Sequence, residues 1–217
     1  ASNALVAGGQ GDDSIRLGAV DGGQVGGQLG ADNLVVGGAL KNALVSMTNT
    51  GDPNSTDDGA DTLTVGSSVS NSTIYSGADA DLLQVGGDLL AGSLYSGDGS
   101  DTVVVGGSLS GLAVLDAGDD SITASDVDGA TVQGGSGNDT FVFATDADGS
   151  SLVGGFGADS IVVGGSAKST TIYGGNPSNG SRALDDADYI SAGAASAAVS
   201  VIRSPVSVVS SVMVSIL

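Results

Sequence analysis

Three stretches of the chain place glycines and an aspartate at the same spacing. Gly134 to Val142 reads G-G-S-G-N-D-T-F-V, Gly154 to Val162 reads G-G-F-G-A-D-S-I-V, and Gly8 to Arg16 reads G-G-Q-G-D-D-S-I-R. The sixth place holds Asp139, Asp159 or Asp13, and the eighth holds an apolar side chain. Glycine permits positive φ and exposes carbonyl oxygens in a tight turn. Aspartate adds a hard, short oxygen ligand. Carboxylates combined with main-chain carbonyls suit calcium, which takes about six to eight oxygens at about 2.3–2.6 Å. The chemistry to expect is cation binding.

The sixth-place aspartate recurs along the chain. The marks are Asp13, Asp32, Asp61, Asp81, Asp101, Asp120, Asp139, Asp159 and Asp188, at spacings of 19, 29, 20, 20, 19, 19, 20 and 29. A period near 20 indicates a solenoid in which each unit packs on its neighbours. The two long steps are one repeat plus about ten residues. Stacking puts neighbouring marks about 5 Å apart, where two bare charges repel by ~0.8 kcal/mol in water and by more near protein. Such a row resists folding unless cations lie between the coils.

The elements that position these loops are strands. Two residues after each mark comes Ile15, Leu34, Leu63, Leu83, Val103, Ile122, Phe141, Ile161 or Ile190, and two further on a second apolar or small residue. This alternation marks a half-buried strand, whereas a helix needs apolar spacings of three and four and is weakened by frequent glycine. A Gly-rich turn and a second strand follow, with Val25, Leu44, Ile74, Leu94, Val114, Val132, Leu152 and Ile172 expected to face inward. The predicted fold is all-β, a parallel β-roll or β-solenoid of about nine coils, with two parallel sheets over a thin aliphatic core. On the outer second sheet, Tyr75 and Tyr95 are expected in line beside Leu115.

Composition agrees with this reading. The 217 residues include 38 Gly and 25 Asp but no Glu, His, Cys or Trp, and aromatics make up only 3%. The net charge of −20 argues against nucleic acid, whose phosphates need Lys and Arg. It also argues against electrostatic attraction to an anionic membrane. Without His, Cys or Glu the usual general bases and nucleophiles are scarce, so no enzyme is expected. Repeats are expected over residues 1–191, with loop-like insertions near 49–58 and 176–187 that are either surface loops or contacts with a neighbouring molecule. The Ser/Val-rich segment 192–217 is expected to form strands that extend, cap or join the stack. Arg203, Pro205 and interspersed serines argue against a spanning helix there. The start at Ala1, in what reads as mid-coil, points to a segment of a longer array.

The loops resemble the RTX, or haemolysin-type, calcium-binding repeats of secreted bacterial proteins. The resemblance implies calcium held between adjacent turns of a β-roll by each loop's aspartate and nearby carbonyls. Full motifs assign this role to Asp13, Asp139 and Asp159, with Gly135, Gly137, Gly155 and Gly157 shaping the loops. Asp101, after S-G-D-G-S, is a near match. Asp32, Asp81 and Asp120 lie in departing loops where weaker or empty sites are expected, and Asp61 and Asp188 follow the insertions. The RTX form repeats every nine residues with loops on both edges, whereas this chain looks one-edged. Two turns of the second edge do carry acids, Asp126 with Asp128 and Asp146 with Asp148. They read either as Asp-Gly turn chemistry or as an extra calcium site.

The function expected is a calcium-stabilised structural protein of the cell exterior that assembles with itself into a surface layer, sheath or filament. The alternative is the repeat module of a larger secreted toxin, adhesin or enzyme. Surface polysaccharide is a further candidate partner, and neither nucleic acid nor direct membrane insertion is expected. A row of outward threonines (Thr62, Thr102, Thr140) is interrupted by Ser121 and Ser160, which argues against a flat ice-binding face.

Overall fold

The computed structural model describes residues 2–48, 59–175, 186–196 and 200–202. Among them all regular structure is strand and every strand pair is parallel. The chain is a parallel β-solenoid with a period of about 20 residues. The first ladder begins one residue after each mark: Ser14–Leu17, Asn33–Val36, Thr62–Val65, Leu82–Val85, Thr102–Val105, Ser121–Ala124, Thr140–Phe143, then the opening residues of Ser160–Lys168 and Tyr189–Ser196. Eight coil-to-coil steps join these nine strands. The long steps keep the register, since Leu34 pairs with Leu63 and Ile161 with Ile190. Residues 49–58 and 176–185, the bulk of both expected insertions, lie outside the described residues.

The second ladder runs from Ser2–Gln10 through Val20–Leu29, Leu44–Ser46, Thr73–Ala78, Leu89–Asp98, Ser108–Ala117, Thr131–Ser136, Ser151–Phe156 and Thr171–Gly175 to Ser200–Ile202. Both ladders thus continue past residue 191. Of the Ser/Val-rich segment, residues 197–199 and 203–217 lie outside the described residues. Among the described residues no helix is long and apolar enough to cross a membrane.

A short third ladder occupies the turn between the two main ones, where sequence reasoning expected only glycine turns. Val20, Leu40, Val69, Leu89, Leu109, Val127, Ala147 and Ala167 stack there, each buried. One apolar residue per coil was too brief a signal to register as a strand. The core is then a single aliphatic column, in which Phe141 and Phe143 fill the coil of Asp139. At the amino end Val6, Ile15 and Leu17 pack on this core but remain partly exposed.

Two inward assignments are corrected. Val45, not Leu44, and Ala113, not Val114, enter the core. Val45 pairs with the buried Val25 and Ile74; for Ala113 the reason is a register shift between Leu90 and Gly92, with Ala91 at φ 48°, which moves the next coil by one residue. A one-residue slip reverses the face of every following side chain. Val114 therefore continues the outward tyrosine column in place of Leu115, which is fully buried. The rings of Tyr75 and Tyr95 stack with centroids 5.0 Å apart and planes 12° apart.

Candidate metal-binding loops

The loops precede the first ladder, so the register of that ladder stacks the marks. Burial follows: Asp32, Asp61, Asp81, Asp101, Asp120, Asp139, Asp159 and Asp188 are all buried, Asp139 being 1% exposed, and Asp13 is half-buried at the open end. The backbone N–H of each mark donates to Oδ1 of the next. The series runs Asp13 to Asp32 at 2.7 Å, Asp32 to Asp61 at 2.6 Å, Asp61 to Asp81 at 2.7 Å, Asp81 to Asp101 and Asp101 to Asp120 at 2.8 Å. It continues from Asp120 to Asp139 at 2.9 Å, Asp139 to Asp159 at 2.8 Å and Asp159 to Asp188 at 3.1 Å. Sequence reasoning found the row but not this chain of bonds. The period placed the side chains without saying which atoms of the adjacent coil they meet.

One carboxylate oxygen is thus used, and the other is the chemical question. Oδ2 of Asp13, Asp32, Asp120 and Asp139 is buried without a hydrogen-bond partner. A buried anionic oxygen of this kind requires a proton or a cation, because desolvation of an uncompensated charge is costly. Burial is the main cause that pushes Asp120 up to about 8, with the charges of Asp101, Asp139 and Asp119 adding to it and the Asp101 amide opposing it. Asp139 is pushed up to about 6, mainly by burial and against the Asp120 amide. Asp101 is also pushed up to about 6, mainly by burial and against the Asp81 amide and the Ser96 hydroxyl. Burial raises Asp32 too.

The backbone of the loops is shared more widely than the motif. Gly135, Gly137, Gly155 and Gly157 have φ of 118°, 130°, 126° and 124°. The departing loops reach the same left-handed region without glycine at Gln28 (φ 90°), Asp79 (φ 70°) and Asp116 (φ 68°). The geometry is retained where the residue type is not. Over Gly8, the place a Cβ would take lies 2.5 Å from Asp13 Oδ2 and 2.7 Å from the Gly27 carbonyl oxygen. The same two kinds of oxygen converge over Gly134 and Gly154. Among the described residues no three acidic side chains form a cluster of their own. Any cation here would be held by one carboxylate per coil together with carbonyls. That all-oxygen donor set, with a buried and uncompensated carboxylate oxygen, fits calcium.

The acids of the second edge are placed differently. Asp128 stacks on Asp148, as the spacing implied, and Lys168 follows, its Nζ 3.8 Å from Asp148 Oδ2. Asp126 Oδ2 accepts from the Ser108 hydroxyl at 2.9 Å, and Asp146 Oδ1 accepts from the Ser166 amide at 2.7 Å. Here hydroxyl, amide and ammonium groups meet Asp126, Asp146 and Oδ2 of Asp148, while Oδ1 of Asp148 is buried without a hydrogen-bond partner.

The fold has a solved counterpart. The chain superposes with a TM-score of 0.75 on the crystal structure of a hyperactive, calcium-dependent, β-helical antifreeze protein from an Antarctic bacterium. The two share a fold. They are 23% identical, and the match covers 90% of this chain and 56% of the other, so this chain spans about half of that protein's length. No family model matches the chain, and no curated protein matches it.

Proposed function

We propose that the chain is a calcium-stabilised, extracellular structural protein that assembles with itself into a surface layer, sheath or filament. The observation that carries this reading is the buried aspartate row, in which Oδ2 of Asp13, Asp32 and Asp139 has no hydrogen-bond partner. The calcium dependence of the solved neighbour supports it. Calcium supplies positive charge where the described loops offer only oxygens. The chain's own contribution is to bury one carboxylate per coil and fix it by the preceding amide. Assembly is supported by outward apolar side chains of the two main ladders, Val142 on the first and the stacked Tyr75 and Tyr95 on the second, since an aligned apolar row suits lateral contact between copies.

The alternative is a calcium-binding module within a larger secreted toxin, adhesin or enzyme. It is favoured by the longer chain of the neighbour, of which only 56% is matched. Ice binding is the neighbour's property. Here the outward column of the first ladder mixes Thr62, Thr102 and Thr140 with Leu82 and Ser121, so the structural role is preferred. Light scattering and electron microscopy of the purified chain, with calcium and with chelator, test the reading. Calcium-dependent filaments or sheets are expected. A chain that stays monomeric in calcium at high concentration overturns assembly in favour of the module.

A further inference from the structure

The loops divide into two kinds at a position the motif treats as uniform. Five residues before the mark stand Gly8, Gly27, Gly134 and Gly154 in the coils of Asp13, Asp32, Asp139 and Asp159. Gly174 occupies the same place beneath Asp188, whose Oδ2 faces it. In the coils of Asp81, Asp101 and Asp120 the position holds Ser76, Ser96 and Leu115, all turned inward and buried. A Cβ over any of the five glycines meets the mark carboxylate of its own coil. Over Gly8, Gly134 and Gly154 it also meets the carbonyl oxygen of the next coil.

The central coils show what replaces that space. The Ser96 hydroxyl donates to the Leu115 carbonyl oxygen at 3.1 Å. That carbonyl holds the place in the ladder from which the Gly154 and Gly174 carbonyls face Asp139 and Asp159. In the next coil the same position is filled by the Leu115 side chain, which is fully buried. A hard cation needs about six to eight oxygens around it, and a hydroxyl already committed to a carbonyl, or an isobutyl group, removes donors and room together.

We propose that this single position decides, coil by coil, which loops take calcium: those of Asp13, Asp32, Asp139 and Asp159 do, and those of Asp81, Asp101 and Asp120 do not. The inference rests on the calcium reading above and refines it into two metal-binding blocks separated by a metal-free middle. It places Asp32 among the binding loops, since Gly27 is present and Gln28 adopts the left-handed conformation of the missing glycine.

The test is calcium stoichiometry, by equilibrium dialysis and titration calorimetry on the full chain, with circular dichroism in calcium to verify the strand content of each variant. Ser96→Gly writes G-G-D-G-S-D over residues 96–101 and is expected to add one bound calcium. Asp139→Asn is expected to remove one, whereas Asp101→Asn leaves the count unchanged. If Ser96→Gly does not fold, the two asparagine variants decide. Equal losses from Asp101→Asn and Asp139→Asn overturn this inference while leaving the calcium reading intact. A wild-type chain that binds no calcium overturns both.

Discussion

The two edges of the solenoid use the same side chain in opposite ways. On the loop edge the marks from Asp32 to Asp188 are buried, each fixed through Oδ1 to the amide of the coil before it. On the other edge Asp126, Asp128, Asp146 and Asp148 are exposed or half-exposed, and Ser108, Ser166 and Lys168 meet Asp126, Asp146 and Asp148. The composition counts all of them alike. Burial makes the difference, because water already satisfies an exposed carboxylate, whereas a buried one keeps its charge only with a compensating partner. Repetition alone is therefore a weak sign of metal binding. Repetition with burial, and with an oxygen left over, is a strong one.

Chelation should separate the edges most sharply. Each saturated site contributes about 2.7 kcal/mol when calcium is a hundredfold above its Kd, and 1 kcal/mol moves Tm by about 2–4 °C in a chain of this size. Loss of several sites is expected to lower Tm by about 20 °C or more, measured by circular dichroism with and without chelator. An unchanged melting curve breaks the contrast.

Next in size is a pair of substitutions. Asp139→Ala leaves the buried Asp120 amide without its acceptor, which alone costs about 1–3 kcal/mol, and removes a cation ligand as well. Asp146→Ala, at an exposed turn, is expected to cost less than about 1 kcal/mol. Urea unfolding of both variants in calcium measures the gap. Asp139→Asn sharpens it further: it keeps an oxygen for the amide and loses the charge, so it should destabilise the chain in calcium and stabilise it in chelator.

The pH dependence in chelator follows from the raised values. Asp120 at about 8, and Asp101 and Asp139 at about 6, lie above the ordinary 3.8, so the folded chain binds more protons than the unfolded one between these limits. Stability therefore falls as pH rises from about 4 to about 8. Tm in chelator is expected to be higher at pH 5 than at pH 8, and calcium should weaken or reverse the trend because protons compete for the same oxygens. The smallest effect expected is Lys168→Ala. Its contact with Asp148 is 3.8 Å long between side chains 52% and 43% exposed, so the change in urea stability should stay below about 0.5 kcal/mol.

Much of this was legible in the sequence. The nine marks placed the first ladder to the residue, because the period-two pattern after each aspartate leaves one choice of inward face. The second ladder was less secure. Leu44 beside Val45, and Val114 beside Ala113 and Leu115, offer apolar neighbours on both faces, and only the pairing settles which turns in: Val45 stacks on Val25, and the shift at Ala91 turns Ala113 inward. The short corner ladder left one apolar residue per coil as its trace. The backbone of the loops was only partly legible, since Gln28, Asp79 and Asp116 adopt glycine-like dihedrals that residue type does not announce. The bond from each amide to the next carboxylate was invisible, because it joins residues 19, 20 or 29 apart through atoms that a repeat pattern does not name.

That bond also has a direction. The acceptor always lies in the later coil, so a coil is completed only by the one that follows it in the chain. During emergence of the chain from its amino end, each finished turn presents an unsatisfied amide that selects the correct register of the next. Coupling of this kind is between nearest neighbours only. A fault in one turn is therefore felt first by the turn before it, whose amide loses its acceptor, as the Asp120 amide would without Asp139.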